Sequence, residues 1–182
     1  VVERCLFREN ETTGSGGAIL STNGLENTLT VERSTFSGNV AGSRGGAIRA
    51  SGEVGLRYAT ITGNSANFGG GIYASSMTPE GNIVAGNMAN SAGPDVHGVV
   101  ESDGYNLIGD SSDSDGWISG QDNVGDEQQP LDPLLGVLQD NGGPTMTFAI
   151  GPNSPALDAG NGDTEGEPRT LWVEKKPKIS VF

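Results

Sequence analysis

The sequence is short of almost everything a dense core needs. Only 34% of its 182 residues are hydrophobic and 5% are aromatic, thin material for a compact two-layer domain of this length. A narrow, stacked core remains compatible with that supply. Cysteine occurs once, at Cys5, which excludes an internal disulfide and leaves the redox compartment open. With a single histidine, His97, no His and Cys cluster exists for zinc. Basic residues are also scarce: 10 Lys and Arg stand against 23 Asp and Glu, a formal net charge of -13. No basic stripe is available to neutralise phosphates, which excludes nucleic acid and argues against an anionic membrane surface. No apolar run reaches the length of a spanning helix. No signal peptide precedes Val1, which opens inside a repeating pattern, so upstream coils and a signal are expected in a longer protein.

What the chain has is glycine, 30 residues of it, arranged in a repeat. "CLFRENETTGSGGAIL" (5–20), "STFSGNVAGSRGGAIR" (34–49), "ATITGNSANFGGGIY" (59–73) and "NIVAGNMANSAGPDVHG" (82–98) align. Asn10, Asn39, Asn64 and Asn87 fall 29, 25 and 23 residues apart, and Asn106 in "NLIG" follows Asn82 by 24. A period in the twenties means stacked units, none able to bury its apolar face alone. The Leu and Asn framework of leucine-rich repeats is missing, and the glycine density opposes helical solenoids. Short β-type runs such as "LTVERSTF" and "GGAIRA", separated by Gly, Asn and Ser, instead predict three short strands per turn. The expected fold is all-β, a right-handed parallel β-helix of about five coils. Phe7, Phe36, Ile61 and Val84 are expected as one interior column, and Ile19, Ile48, Ile72 and Val96 as another. The four asparagines are expected as an inward ladder at a corner.

Units of the form "TFSGN…GGAI" resemble the right-handed parallel β-helix repeats of bacterial surface proteins, including polymorphic outer-membrane proteins. Residues 93–161, with "NLIG", "DPLLG", "NGGPT" and "SPALDAG", closely resemble the choice-of-anchor Q domain. These resemblances imply a secreted or surface-anchored bacterial protein, in families mostly without an assigned activity. Choice-of-anchor Q members usually carry His where Phe148 stands, so any role of that histidine is absent here. The expected organisation is coils over 1–109, then an acidic loop and a C-terminal cap over 110–161, continuous with the helix. An atypical tail, expected as non-native or disordered, fills 162–182. The cap rests on Leu131, Leu134, Leu135, Val137 and Leu138, dense enough to cover an end or a flank, and on "TMTFAI", whose Met146, Phe148 and Ile150 share one strand face. At the other end, the strand-forming stretch "VVERCLFREN" predicts a homodimer through an unpaired N-terminal coil edge.

Three sets of residues carry candidate chemistry. In the loop 109–132, Asp113, Asp115 and Asp122 follow an EF-hand-like order, with Ser111 in place of the first Asp, so Ca2+ is the one cofactor expected. His97 must serve any histidine mechanism. Asp95 lies two residues before it, and Ser111 sits in "GDSS", which resembles the start of GDSL-type esterases, although no G-x-S-x-G elbow exists. Arg4, Arg33 and Arg57 align as a basic ladder beside Glu3 and Glu32. With Tyr58 and Tyr73, and with Phe68 as a further surface aromatic, that ladder suits uronic acids or other sugars. Two functions follow. One is a surface solenoid presenting a face to glycans or a cell-surface partner. The alternative is a hydrolase or lyase acting on polysaccharide or ester through His97 or the acidic loop.

Overall fold

The computed structural model describes residues 1–22, 24 and 28–160; the expected tail over 162–182 lies outside them. No helix forms among the described residues, and the strands wind through three stacked parallel sheets. Sheet A runs Val2–Glu3, Leu29–Glu32, Glu53–Arg57, Ile72–Glu80, Val96–Val100 and Ser114–Asp115. Ile19–Ser21 and Ile48–Ala50 join its flank at the start of Ile72–Glu80. Sheet B runs Leu6–Arg8, Thr35–Ser37, Thr60–Thr62, Ile83–Val84, Leu107–Ile108 and Asn123–Val124. Sheet C has only Glu11–Thr12, Val40–Ala41, Ser65–Phe68 and Met88–Ala92. The molecule is a parallel β-helix, five coils deep with a short sixth rung at Asn123–Val124.

Two apolar columns run through its interior. Phe7, Phe36, Ile61, Val84 and Ile108 are in register, and the rings of Phe7 and Phe36 stack 4.8 Å apart. Ile19, Ile48, Ile72 and Val96 form the second column. Phe36, Ile48, Ile61, Ile72, Val84, Val96 and Ile108 are fully buried, each worth about 1.5–3 kcal/mol of burial. A sparse apolar supply suffices because every such residue sits in a column one side chain wide.

The second half closes the stack in two places. Trp117 packs on the interior cluster near the last coil. The antiparallel hairpin of Leu135–Gln139 and Thr147–Ile150 lies along the flank of sheet B instead of the end. Its seat follows from strand alternation. Sheet B turns Thr35 and Thr60 outward in early coils but Ile83 and Leu107 in later ones. Leu131, Leu135 and Ile150 cover that apolar patch, together with Ala156. Val137 and Leu134, expected in the cap, stay largely exposed.

Candidate functional site

Inside the corners, asparagines make two hydrogen-bonded ladders. In the first, the backbone N–H and the Nδ2 of Asn10 both donate to Asn39 Oδ1, at 3.1 and 2.7 Å. Asn39 repeats this onto Asn64, and Asn64 onto Asn87. The Nδ2 groups of the lower three also reach a strand carbonyl: Asn39 that of Phe7, Asn64 that of Phe36, Asn87 that of Ile61. The second ladder links Asn82 to Asn106 with the same geometry. Asn suits every rung because its amide donates to one neighbour and accepts from the other.

Both ladders end on an aspartate, an acceptor with nothing further to donate. Asp95 Oδ1 accepts from Asn87 N and Nδ2, and its Oδ2 accepts from Asp110 N at 2.7 Å. Asp122 Oδ1 accepts from Asn106 N and Nδ2, and its Oδ2 from Ser102 Oγ and Ile118 N. Among the described residues sheet C has no rung below Met88–Ala92, so the next coil offers no asparagine beneath Asn87. Asp95 reaches in from the same coil to fill the place. Burial pushes its carboxyl up from 3.8 to about 6, against the lowering pull of the donors from Asn87 and Asp110.

These bonds do not bring the catalytic and metal candidates together. Asp95 and His97 do not act together: Asp95 lies at a corner before the strand Val96–Val100, so strand alternation does not put it on the His97 face. The Asp95 carboxylate faces inward and the His97 ring outward. His97 is held by stacking on Tyr73, and its Nδ1 has no hydrogen-bond partner among the described residues. Ser111 Oγ donates to the Gly125 carbonyl, not to histidine. Asp113, Asp115 and Asp122 do not converge either. Asp113 accepts from Gly93 N, Asp122 belongs to its ladder, and no three His, Cys, Asp or Glu side chains among the described residues form a metal cluster.

The basic ladder keeps its register from Arg4 to Arg33 and loses it at Arg57. Arg33 aligns with Tyr58, whereas Arg57 pairs with Glu32 and Glu80, because the coil is one residue longer than the arginine spacing. A one-residue slip moves a side chain to another position on the coil. The charges then neutralise one another: Arg4 meets Glu3, Arg33 lies 3.9 Å from both Glu3 and Glu32, and Arg57 meets Glu80 and Asp103. Tyr58, under the Arg33 guanidinium, has its phenol raised by burial and then by Glu80.

Tyr73 belongs to a different outer corner. Gly16, Gly45, Gly69 and Gly93 turn the chain there with φ between +61° and +69°. A Cβ on Gly69 would lie 2.8 Å from Tyr73 Cβ, and one on Gly93 2.7 Å from His97 Cβ. Only glycine lets the corner close so tightly. Beyond it, Leu20, Arg49, Tyr73 and His97 stack in register on sheet A. Before it, Arg44 bridges to Phe68. The turn folds both columns onto one surface. Tyr73 and His97 stack at 4.6 Å, with Phe68 edge-on to His97 at 6.5 Å. The guanidinium carbons of Arg49 and Arg44 lie 4.8 and 5.3 Å from the Tyr73 centroid. Among the described residues, Arg4, Arg8, Arg33 and Arg57 have carboxylate partners, while Arg44 and Arg49 have none. Sequence spacing singled out Tyr73 and Phe68 here but missed Arg44, Arg49 and the place of His97. The signal was present in the offset of Arg49, Tyr73 and His97, each four residues after a corner glycine.

Fold and site together define a parallel β-helix with a capped flank and one open cation–aromatic corner. Residues 4–22 and 33–51 match the Chlamydia polymorphic membrane protein repeat, so the first two coils are similar to repeats of that type. No curated protein and no solved structure matches the chain.

Proposed function

We propose that this chain is part of a bacterial surface protein whose outer corner, formed by Arg44, Arg49, Phe68, Tyr73 and His97, binds a glycan or a cell-surface partner without turning it over. The polymorphic membrane protein repeats support the surface placement. One observation carries the binding reading. Two guanidinium groups crowd one tyrosine ring, with no carboxylate partner for either among the described residues, in a chain whose net charge is -13. Like charges held together without a counter-ion are unfavourable unless something else uses them. Catalysis has weaker support, since the carboxylate and hydroxyl that His97 would need are bonded elsewhere.

The test is binding of purified protein to a glycan array and to intact cells. The parent should bind, Arg57→Gln should bind equally, and the Arg44→Gln/Arg49→Gln double variant should lose most of the signal. Equal binding by all three would reject the corner as the contact face. Turnover of a polysaccharide or p-nitrophenyl ester by the parent, abolished by His97→Ala, would replace binding with catalysis.

A further inference from the structure

We infer that the corner takes a sugar bearing a single carboxylate, such as a terminal uronic acid, in preference to a neutral glycan, a dense polyanion or an acidic peptide. This rests on the binding reading above and names its ligand class. Arg44 and Arg49 present planar donors that match a carboxylate; Arg49 Nη1 already donates to the Ala50 carbonyl, which holds its guanidinium in place and leaves its other donors for the ligand. Phe68 is 37% exposed beside them and offers an apolar face to the C–H side of a sugar ring. Tyr73 cannot do this, because Arg49 and His97 stand over it. The site thus has one charged half and one apolar half, side by side.

Two further observations narrow the class. The net charge of -13 repels polymers with closely spaced anions, so an isolated charge on an otherwise neutral chain is favoured. The corner backbone is also already bonded from coil to coil: Gly45 N to Phe68 O, Gly46 N to Gly69 O, Gly69 N to Ala92 O and Gly70 N to Gly93 O. An added peptide strand finds no free edge there, which removes the main-chain bonding that extended peptides rely on.

Because His97 is the sole histidine, its imidazole C–H protons give an unambiguous NMR reporter inside the site. The protein is titrated with methyl glucuronide, methyl glucoside, acetate and polyglutamate. Methyl glucuronide should shift the His97 signals saturably and at least about tenfold more tightly than each of the others. The response should vanish in the Arg44→Gln/Arg49→Gln double variant and persist in Arg57→Gln. Equal response to methyl glucoside would overturn the charge requirement while leaving the binding corner standing. Equal response to acetate would mean a bare anion site, and tighter polyglutamate binding would mean a peptide ligand; either overturns the sugar class. A parent silent to all four probes would count against both this ligand class and the binding corner itself.

Discussion

Asn64 and Tyr73 belong to one coil and stand in stacks of the same pitch, yet the two stacks have opposite chemistry. The interior stack is closed. Every amide in it donates downward, each from Asn39 on also accepts from above, and an aspartate takes the last donors. The outer stack is open, since Arg49, Tyr73 and His97 hold one another by ring contacts while two guanidinium charges have no carboxylate partner among the described residues. A repeat protein multiplies whatever a position carries. Inside, repetition satisfies polar groups; at the corner, it concentrates charge and aromatic surface. Structural asparagine and functional arginine are therefore told apart by whether their polar demands are met: Arg49 Nη1 donates to the Ala50 carbonyl, but neither corner arginine has a carboxylate among the described residues.

The sharpest way to break this contrast is to open the closed stack. Asn64→Leu deprives Asn39 N and Nδ2 of their acceptor, and Asn87 Oδ1 and the Phe36 carbonyl of a donor. Each stranded buried group is costly, so urea unfolding should show a loss of about 3 kcal/mol or more. An unchanged midpoint would mean the ladder contributes nothing.

The aspartate terminus gives a pH signature. Asp95 has a folded-state pKa of about 6, above its ordinary 3.8. Its contribution to stability is therefore full below about 3.8 and is lost as pH rises through about 6. Relative to Asp95→Asn, the parent should lose about 3 kcal/mol of unfolding free energy between pH 4 and pH 7. Parallel stability curves for the two proteins would contradict the buried-carboxylate account.

Smaller effects belong to the outer surface. Arg57→Gln breaks contacts to Glu80 and Asp103 at a half-exposed position, and should cost under about 1 kcal/mol. Millimolar calcium should leave the melting temperature unmoved, because Asp113 and Asp122 are bonded to the fold and do not meet. A calcium-dependent rise, reversed by EDTA, would show that the loop gathers its carboxylates after all.

The fold was legible because coil periodicity is written in residues with few alternatives: Asn at the ladder, Gly at the tight corner and aliphatics in the columns. Register was less legible. Arg33 and Arg57 are 24 residues apart, while Asn39 and Asn64 are 25 apart, and that one residue separates an apparent basic ladder from an alternating salt-bridged one. The second ladder was hidden because its upper positions are Ser34 and Ala59, whose coils place no amide there. Asp95 and Asp122 were misleading for one shared reason. An acidic residue near His97 or in an acidic loop looks like chemistry, and nothing local reveals an asparagine 8 or 16 residues earlier in need of an acceptor.

The contrast between closed and open stacks meets its most direct test in the Arg44→Gln/Arg49→Gln double variant, with urea unfolding and His97 titration by methyl glucuronide on the same sample. Removing two surface cation–π contacts, one from the half-buried Arg49, should lower stability by only about 1–2 kcal/mol, while the ligand-induced His97 shift disappears. A stability loss as large as that of Asn64→Leu, with the shift retained, would contradict the account and make the corner a structural stack like the ladder inside it.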